Sequence, residues 1–168
     1  MTRSNPRLLL FALTTSTLLV ACNLIPSPTG QEIIIDNQDS AFTIVSGDWG
    51  TAESNDGNGS YGPDFRYLLA DRSNVGVARF TPTISVAGDY TVYIWWSADP
   101  NRTTSQPVTV HDASGDTTSS VDLQQRGNQW YQLGRHTVNA GTVGYIEFSN
   151  NTDAGYCNAD AVRLVPPS

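Results

Sequence analysis

Few residues of this chain have the type and spacing that catalysis needs. The two histidines, His111 and His136, fall inside predicted strands, where a surface or hydrogen-bonded histidine is expected, and they lack the spacing of a metal site. Residues 58–62, with the sequence NGSYG, come closest to a nucleophile elbow, but the first glycine and a following helix are missing. We therefore expect no enzyme activity from a nucleophile or from zinc.

The acidic residues are too numerous for any pair to identify a glycosidase, which needs two opposed carboxylates. Most of them are aspartates in turn sequences, where the side chain accepts hydrogen bonds from its own backbone. Asp160 lies in an apolar strand instead, and we interpret it as a buried acceptor for loop amides. Asp64, close to Arg66, is interpreted as structural.

A calcium ion is the one cofactor that the sequence leaves open. Carboxylate and amide oxygens, the ligands that calcium prefers, cluster in the loop that follows the second predicted strand, although their spacing does not match an EF-hand. Solvated turn residues are the alternative, and otherwise no cofactor is expected. The residues concerned are Asp48, Asn55, Asp56 and Asn58.

Aromatic residues carry the clearest binding signal. The chain has four Trp and seven Tyr. In the predicted strand Asp89–Ser97, alternation directs Val92, Ile94 and Trp96 to the core and Tyr93 and Trp95 to the opposite face. Flat aromatic rings stack on pyranose rings while amides, carboxylates and arginine fix the hydroxyls. Either a sugar or the loop 47–64 covers this pair. The candidate ligand-binding residues are Tyr93, Trp95, Trp49, Tyr61, Asp99, Asn101, Arg102 and Trp130.

Short apolar runs bounded by Gly, Asn, Asp and Ser predict an all-β fold, an antiparallel two-sheet sandwich. The Asp112–Asp116 turn predicts a hairpin, and the first and last strands are expected to pair. The predicted strands are Glu32–Asn37, Ala41–Ser46, Phe65–Ala70, Val75–Thr81, Asp89–Ser97, Pro107–His111, Thr117–Leu123, Trp130–Val138, Val143–Ser149 and Ala159–Val165.

The amino terminus has the features of a secretion signal. Arg3 and Arg7 precede the apolar run Leu8–Val20, which is too short to span a bilayer. The run ends in Leu-Val-Ala-Cys22, which resembles the bacterial lipobox, whose cysteine is acylated. An ordinary signal with an incidental cysteine is the alternative. We predict a signal peptide at residues 1–21, a lipidated Cys22 with a tether to residue 31, and one domain at 32–166. These features predict a protein that is anchored by a lipid in the bacterial cell envelope, outside the cytoplasm.

The charge and the cysteine content of the chain argue against several kinds of partner and against a disulfide. The formal net charge is −7 and lysine is absent, so nucleic acid and electrostatic docking on anionic lipid are not expected. If Cys22 is lipidated, Cys157 has no partner for a disulfide. We interpret Cys157 as a small buried side chain, with an exposed crosslinking thiol as the alternative.

Six fragments in order resemble the golvesin C-terminal-like module, also described as a xanthan-lyase carbohydrate-binding-like domain. The resemblance spans Ile33 to Val165 and implies a non-catalytic sandwich of jelly-roll or galactose-binding-like type. One departure is Cys157-Asn158, where two apolar residues are expected. The fragments are Trp49 with residues 61–66 (YGPDFR), 78–82 (ARFTP), 87–96 (AGDYTVYIWW), 101–111 (NRTTSQPVTVH), 127–134 (GNQWYQLG) and 155–163 (GYCNADAVR).

Together these observations predict a non-catalytic, lipid-anchored surface module that binds a polysaccharide or another polymer of the cell envelope. Two other functions stay open. One is a structural or adhesive surface protein with a protein partner, which a flat exposed apolar patch would favour. The other is a glycan lyase or hydrolase, which would need a cluster of catalytic side chains.

Overall fold

The computed structural model describes residues 30–53 and 59–167, in which all the regular structure is β-strand. The predicted signal peptide, Cys22 and most of the predicted tether lie outside the described residues. The strands are β1 (Ile33–Asp36), β2 (Phe42–Ser46), β3 (Gly50–Glu53), β4 (Asp64–Leu69), β5 (Val77–Phe80), β6 (Gly88–Trp95), β7 (Gln106–Asp112), β8 (Gly115–Val121), β9 (Tyr131–Val138), β10 (Tyr145–Ser149), β11 (Tyr156–Ala159) and β12 (Ala161–Val165).

These strands form three antiparallel sheets. Sheet A has the order β1-β12-β6-β9, sheet B the order β2-β5-β10-β7-β8, and sheet C the order β11-β4-β3. The chain passes from sheet C to sheet A at Asp160, between β11 and β12. The first and last strands pair, with Ile33 opposite Leu164.

The core lies between the inner faces of sheets A and B. Strand β6 contributes alternate residues, Tyr90, Val92 and Ile94, followed by Trp96, all almost completely buried. Sheet B contributes Phe80 and other apolar side chains to the same cluster. Full burial of each such side chain contributes roughly 1.5–3 kcal/mol, and the alternation of β6 therefore fixes which of its faces points outward.

The antiparallel sandwich predicted from the sequence is confirmed, and each predicted strand has a counterpart. The last predicted strand, Ala159–Val165, corresponds to β12, which begins at Ala161 because the chain changes sheets at Asp160. Strand β11 was not predicted apart from its last residue, Ala159. Strand β3 was not predicted either. Its sequence, Gly-Thr-Ala-Glu, has no apolar alternation, and its pairing with β4 holds it in place.

The described residues contain no helix that is long and apolar enough to cross a membrane.

Candidate functional site

The outer side of sheet A carries a cluster of aromatic rings. Trp95 contacts Tyr61 and Trp130, with ring centroids 5.7 and 5.4 Å away, and Tyr61 and Trp130 lie 5.0 Å apart. Tyr93 lies on the same outer side of β6. We call Tyr61, Tyr93, Trp95 and Trp130 the aromatic face. Tyr61 is 39% exposed and the other three are half-buried, so the rings are accessible at a packed surface.

The segment before β4 holds the aromatic face in shape. Trp95 Nε1 donates a hydrogen bond of 2.6 Å to the carbonyl oxygen of Gly59. The backbone N–H of Tyr61 donates to both carboxyl oxygens of Asp160, at 3.2 and 3.3 Å. The alternative of a covering loop is therefore partly right, because this segment covers part of Trp95 and also presents Tyr61.

Asp160 is the buried acceptor for a loop amide that the sequence predicted. The residue is completely buried. Desolvation raises the pKa of its carboxyl to about 8, and the nearby charges of Asp36 and Asp64 act in the same direction. The side chain is therefore mostly protonated at neutral pH, and it anchors Tyr61 without placing a full negative charge beneath the aromatic face.

Arg163 links two rings of the aromatic face. Its guanidinium carbon lies 5.5 Å from the ring centroid of Tyr93 and 5.8 Å from that of Trp130. Its Nε and Nη2 donate to the two carboxylate oxygens of Glu32 at 2.9 and 3.1 Å. Because this pairing is bidentate, the guanidinium adds a flat polar edge to the aromatic face but little net charge.

A pocket of about 410 Å³ lies against sheet C. Its floor is formed by Ala52 of β3 and by Phe65 and Tyr67 of β4. Its wall is the loop after β6, with Asp99, Asn101 and Arg102, and Thr51 of β3 and Tyr156 of β11 complete the lining. We call it the Arg102 pocket.

Backbone hydrogen bonds hold the wall of the Arg102 pocket rigidly. The N–H of Tyr156 donates to the carbonyl oxygen of Asn101, and the N–H of Thr103 donates to that of Tyr156, both at 3.0 Å. Gln124 Nε2 donates to the carbonyl oxygens of Pro100 and Arg102 at 3.0 and 2.8 Å. The loop is therefore fixed on two sides before any ligand arrives.

Gly155 permits this close approach of backbones. Its φ is +85°, and a Cβ there would lie 2.6 Å from the carbonyl carbon of Arg102. Only glycine suits both conditions.

The Arg102 side chain covers the pocket floor. Its guanidinium carbon lies 5.1 Å from the ring centroid of Phe65. Phe65 is only 3% exposed although it lies outside the main core cluster. Nε of Arg102 donates to the carbonyl oxygen of Ser97 at 3.2 Å, and Nη1 donates to Asn101 Oδ1 at 2.7 Å. Desolvation lowers the pKa of Arg102, and the charge of Asp99 partly offsets this.

The eight residues predicted to bind a ligand therefore fall into three places. Tyr61, Tyr93, Trp95 and Trp130 lie together on the aromatic face, whereas Asp99, Asn101 and Arg102 line the separate Arg102 pocket.

The placement of Trp49 at a ligand surface was wrong. Trp49 is 9% exposed and belongs to the core cluster, and its Nε1 donates to the carbonyl oxygen of Ser46 at 3.1 Å. Gly76 makes room for the indole, since a Cβ on Gly76 would lie 3.1 Å from Trp49 Nε1.

Sequence reasoning missed Tyr67, Tyr156 and Arg163. The alternation of Phe65 with Tyr67 in β4 is a signal for one of them. Tyr156 and Arg163 reach their sites through pairing between strands distant in the sequence, which leaves no local signal. Of the residues proposed for calcium, Asp48 is exposed, and the other three lie outside the described residues.

The residues considered for catalysis have structural partners. Nδ1 of His111 lies 2.5 Å from Asp116 Oδ1, and Nδ1 of His136 lies 2.9 Å from Asp112 Oδ2. Cys157 is completely buried, and desolvation raises the pKa of its thiol to about 12. The alternative of an exposed crosslinking thiol is therefore wrong. Within residues 30–53 and 59–167, no group of three or more His, Cys, Asp or Glu side chains is placed to hold a metal ion.

Comparison with known proteins confirms the resemblance drawn from the sequence. Residues 33–166 match the family model of the golvesin C-terminal domain. A xanthan lyase of Bacillus sp. (strain GL1) is 36% identical over 143 residues, which cover 82% of this chain and 15% of that protein. The chain thus spans a small part of the length of this curated relative.

Comparison with solved structures gives the same relationship. The structure of Paenibacillus xanthan lyase matches with a TM-score of 0.73 and 35% identity, over 82% of this chain and 13% of that one. A family 35 carbohydrate-binding module from Clostridium thermocellum matches with a TM-score of 0.57 and 19% identity, over 79% of this chain and 98% of that module. The second match shows a shared fold. From the family match and the identity to xanthan lyase, we conclude that the chain belongs to the golvesin C-terminal domain family.

Proposed function

We propose that this chain is a non-catalytic module that binds a polysaccharide through its aromatic face, held at the bacterial cell envelope by a lipid on Cys22. The observation that carries the proposal is the contact of Tyr61, Trp95 and Trp130 on the outer side of sheet A. Rings held together at a surface offer a sugar chain apolar faces to stack on, and Arg163 adds donors beside them.

Similarity supports a sugar ligand. The family contains a segment of a protein named for its action on the polysaccharide xanthan. The sandwich fold is shared with a carbohydrate-binding module. Because the chain corresponds to a small fraction of the lyase, we assign it binding and not cleavage.

The test is affinity electrophoresis of the purified protein through neutral polysaccharides, namely xyloglucan, galactomannan and laminarin. We expect retardation by at least one of them and its loss in Trp130→Ala. Tyr145→Ala is the matched control, because Tyr145 is also a half-buried aromatic but stacks on His111 in sheet B. If no polysaccharide retards the wild type, or if both variants are equally impaired, the aromatic face is not a sugar site and a protein partner becomes the better candidate.

The lipid anchor has its own test. Cys22→Ser removes the sulfur that would be acylated, so the variant should leave the membrane fraction or accumulate unprocessed. Fractionation with mass measurement of the intact chain decides this. A variant that partitions with membranes like the wild type, at the mass expected from the single substitution, contradicts lipidation.

A further inference from the structure

Among the described residues Arg102 has no carboxylate within 4.0 Å, and the nearby charge of Asp99 compensates it only in part. Among the described residues the Arg102 side chain makes no ion pair and no hydrogen bonds beyond those to Ser97 and Asn101, which are both uncharged acceptors. The chain as a whole has a net charge of −7, so carboxylates are abundant elsewhere. Four other arginines lie within 4.0 Å of a carboxylate: Arg72, Arg79, Arg135 and Arg163.

Burial of a guanidinium whose charge is only partly compensated is unfavourable. Arg102 is half-buried over Phe65, and arginine stays charged under all ordinary conditions. Removing a charge from water without a partner is unfavourable, and an anion supplied from outside restores the balance. A guanidinium matches a planar carboxylate particularly well, because the N–H groups form a fork. The charge of Arg102 therefore favours a carboxylate ligand.

The rest of the Arg102 pocket has the shape and polarity of a sugar site. Its volume of about 410 Å³ falls in the range of small-molecule pockets. Phe65 and Tyr67 give an apolar floor, and the edge-to-face pair of Tyr67 and Tyr156, with centroids 5.8 Å apart, gives a second aromatic surface. Asp99 and Asn101 supply hydroxyl-binding groups along the rim.

We propose that the Arg102 pocket binds a carboxylate-bearing sugar residue, a uronate of an acidic polysaccharide, with Arg102 as the residue that selects the carboxylate. This inference rests on the proposed glycan-binding function but uses a site that shares no residue with the aromatic face. The protein would thus hold two sugar sites of different chemistry.

The experiment compares free and methyl-esterified uronates by isothermal titration calorimetry of the purified protein. The probes are oligosaccharides of galacturonate, mannuronate and glucuronate, each as the free acid and as the methyl ester. Esterification removes the charge and keeps the ring. We expect at least one free acid to bind about tenfold or more tightly than its ester, as for loss of a charged hydrogen bond. Equal affinity for acid and ester in all three pairs overturns the proposal.

Variants assign the preference to Arg102. In Arg102→Gln the preference for the free acid should vanish, and in Arg102→Lys it should be only partly kept, because the charge remains but the fork is lost. Arg135→Gln is the matched control, since it removes the same charge from an exposed arginine that lines a different part of the surface. A preference unchanged in a folded Arg102→Gln, or lost equally in Arg135→Gln, contradicts the proposal. If Arg102→Gln does not fold, the comparison of acid and ester in the wild type still decides.

The two proposals fail in distinguishable ways. Trp130→Ala should lose binding to neutral polysaccharide and keep the preference for a free uronate. If wild-type protein binds neutral polysaccharide but no uronate, the pocket proposal is wrong and the aromatic face stands. If it binds uronates with the expected preference but no neutral polysaccharide, the aromatic face is wrong and the pocket stands.

Discussion

The aromatic face and the Arg102 pocket use arginine in opposite ways. On the aromatic face, Arg163 is bound by both oxygens of Glu32, so its guanidinium serves as a flat hydrogen-bonding edge. In the pocket, Arg102 donates to uncharged acceptors and makes no ion pair, so that its charge is only partly compensated, by Asp99. The same side chain therefore makes one surface suited to neutral sugars and the other suited to anions, and the difference lies in its nearest neighbour.

The two sites also differ in what makes them rigid. Side-chain packing and the hydrogen bonds of Trp95 and Tyr61 fix the aromatic face, whereas backbone hydrogen bonds and the side chain of Gln124 fix the pocket wall. A change in a ring should therefore disturb the aromatic face alone. A change in backbone geometry should disturb the pocket alone.

The largest effect is expected when the inward and outward residues of β6 are compared. Trp96→Ala should lower the free energy of unfolding by roughly 3–5 kcal/mol, because it empties a fully buried site. Trp95→Ala should cost only about 1–2 kcal/mol, since it removes two partial ring contacts and one hydrogen bond. Denaturant unfolding of both variants measures this. A greater loss in Trp95→Ala would mean that the aromatic face is part of the core.

A smaller effect is expected from straining the pocket wall. Gly155→Ala forces a non-glycine residue into a left-handed conformation, which costs about 1–3 kcal/mol, and also brings its Cβ against Arg102. Gly115→Ala is the control, because Gly115 has φ +112° but a Cβ there would meet no atom within 4 Å beyond its chain neighbours. We expect Gly155→Ala to be the less stable variant and to lose the preference for uronates, with neutral polysaccharide binding intact. Equal stability of the two would show that the approach of the backbones is not tight.

The last effect is a dependence of stability on pH and concerns Asp160, which lies between β11 of the pocket and β12 of the aromatic face. Its pKa is raised in the folded protein, so the native state binds a proton that the unfolded state has released. This contribution to stability is complete below the ordinary carboxyl pKa and is lost as the pH rises to about 8. From pH 5 to 8, the wild type should lose at most about 1.4 kcal/mol per pH unit from this group.

Asp160→Asn should flatten the pH dependence, since the amide keeps an acceptor for the Tyr61 N–H and does not titrate. Melting temperatures at several pH values between 5 and 8 measure the slope. Asp36→Asn serves for comparison, because burial also raises the pKa of Asp36 but leaves it partly accessible. Parallel slopes in the wild type and Asp160→Asn would contradict the assignment.

The sequence predicted what depends on local periodicity. The alternation of β6 placed Trp96 inside and Trp95 outside, and the free Cys157 was expected to be buried. It also predicted the pairing of β1 with β12, from the need to close a single unit.

The sequence did not predict what depends on distant pairing. Strands β4 and β11 are far apart along the chain, and their pairing brings Tyr67 to Tyr156 and so forms the pocket. Asn158 departs from the apolar pair expected there, and its side chain has no structural explanation, but its backbone does have a specific partner. The buried side chain of Gln106 donates to the carbonyl oxygen of Asn158 at 2.9 Å and accepts from its N–H at 2.8 Å. The side-chain amide of Gln106 therefore forms the backbone hydrogen bonds that a neighbouring strand would otherwise form. No local sequence pattern predicts such a contact.

The register of β1, β12 and β6 also orients the molecule. At one end of these strands Ile33 lies opposite Leu164, and at the other end Asp36 lies opposite Ala161, which in turn lies opposite Trp95. The loop of the Arg102 pocket follows β6 at that second end. A chain fixed to a surface through the residues before Ile33 would therefore have its attachment point at one end of the domain and both sites toward the opposite end. If the proposed lipid anchor holds the protein, this geometry would direct both sites into the surrounding polymer and away from the bilayer.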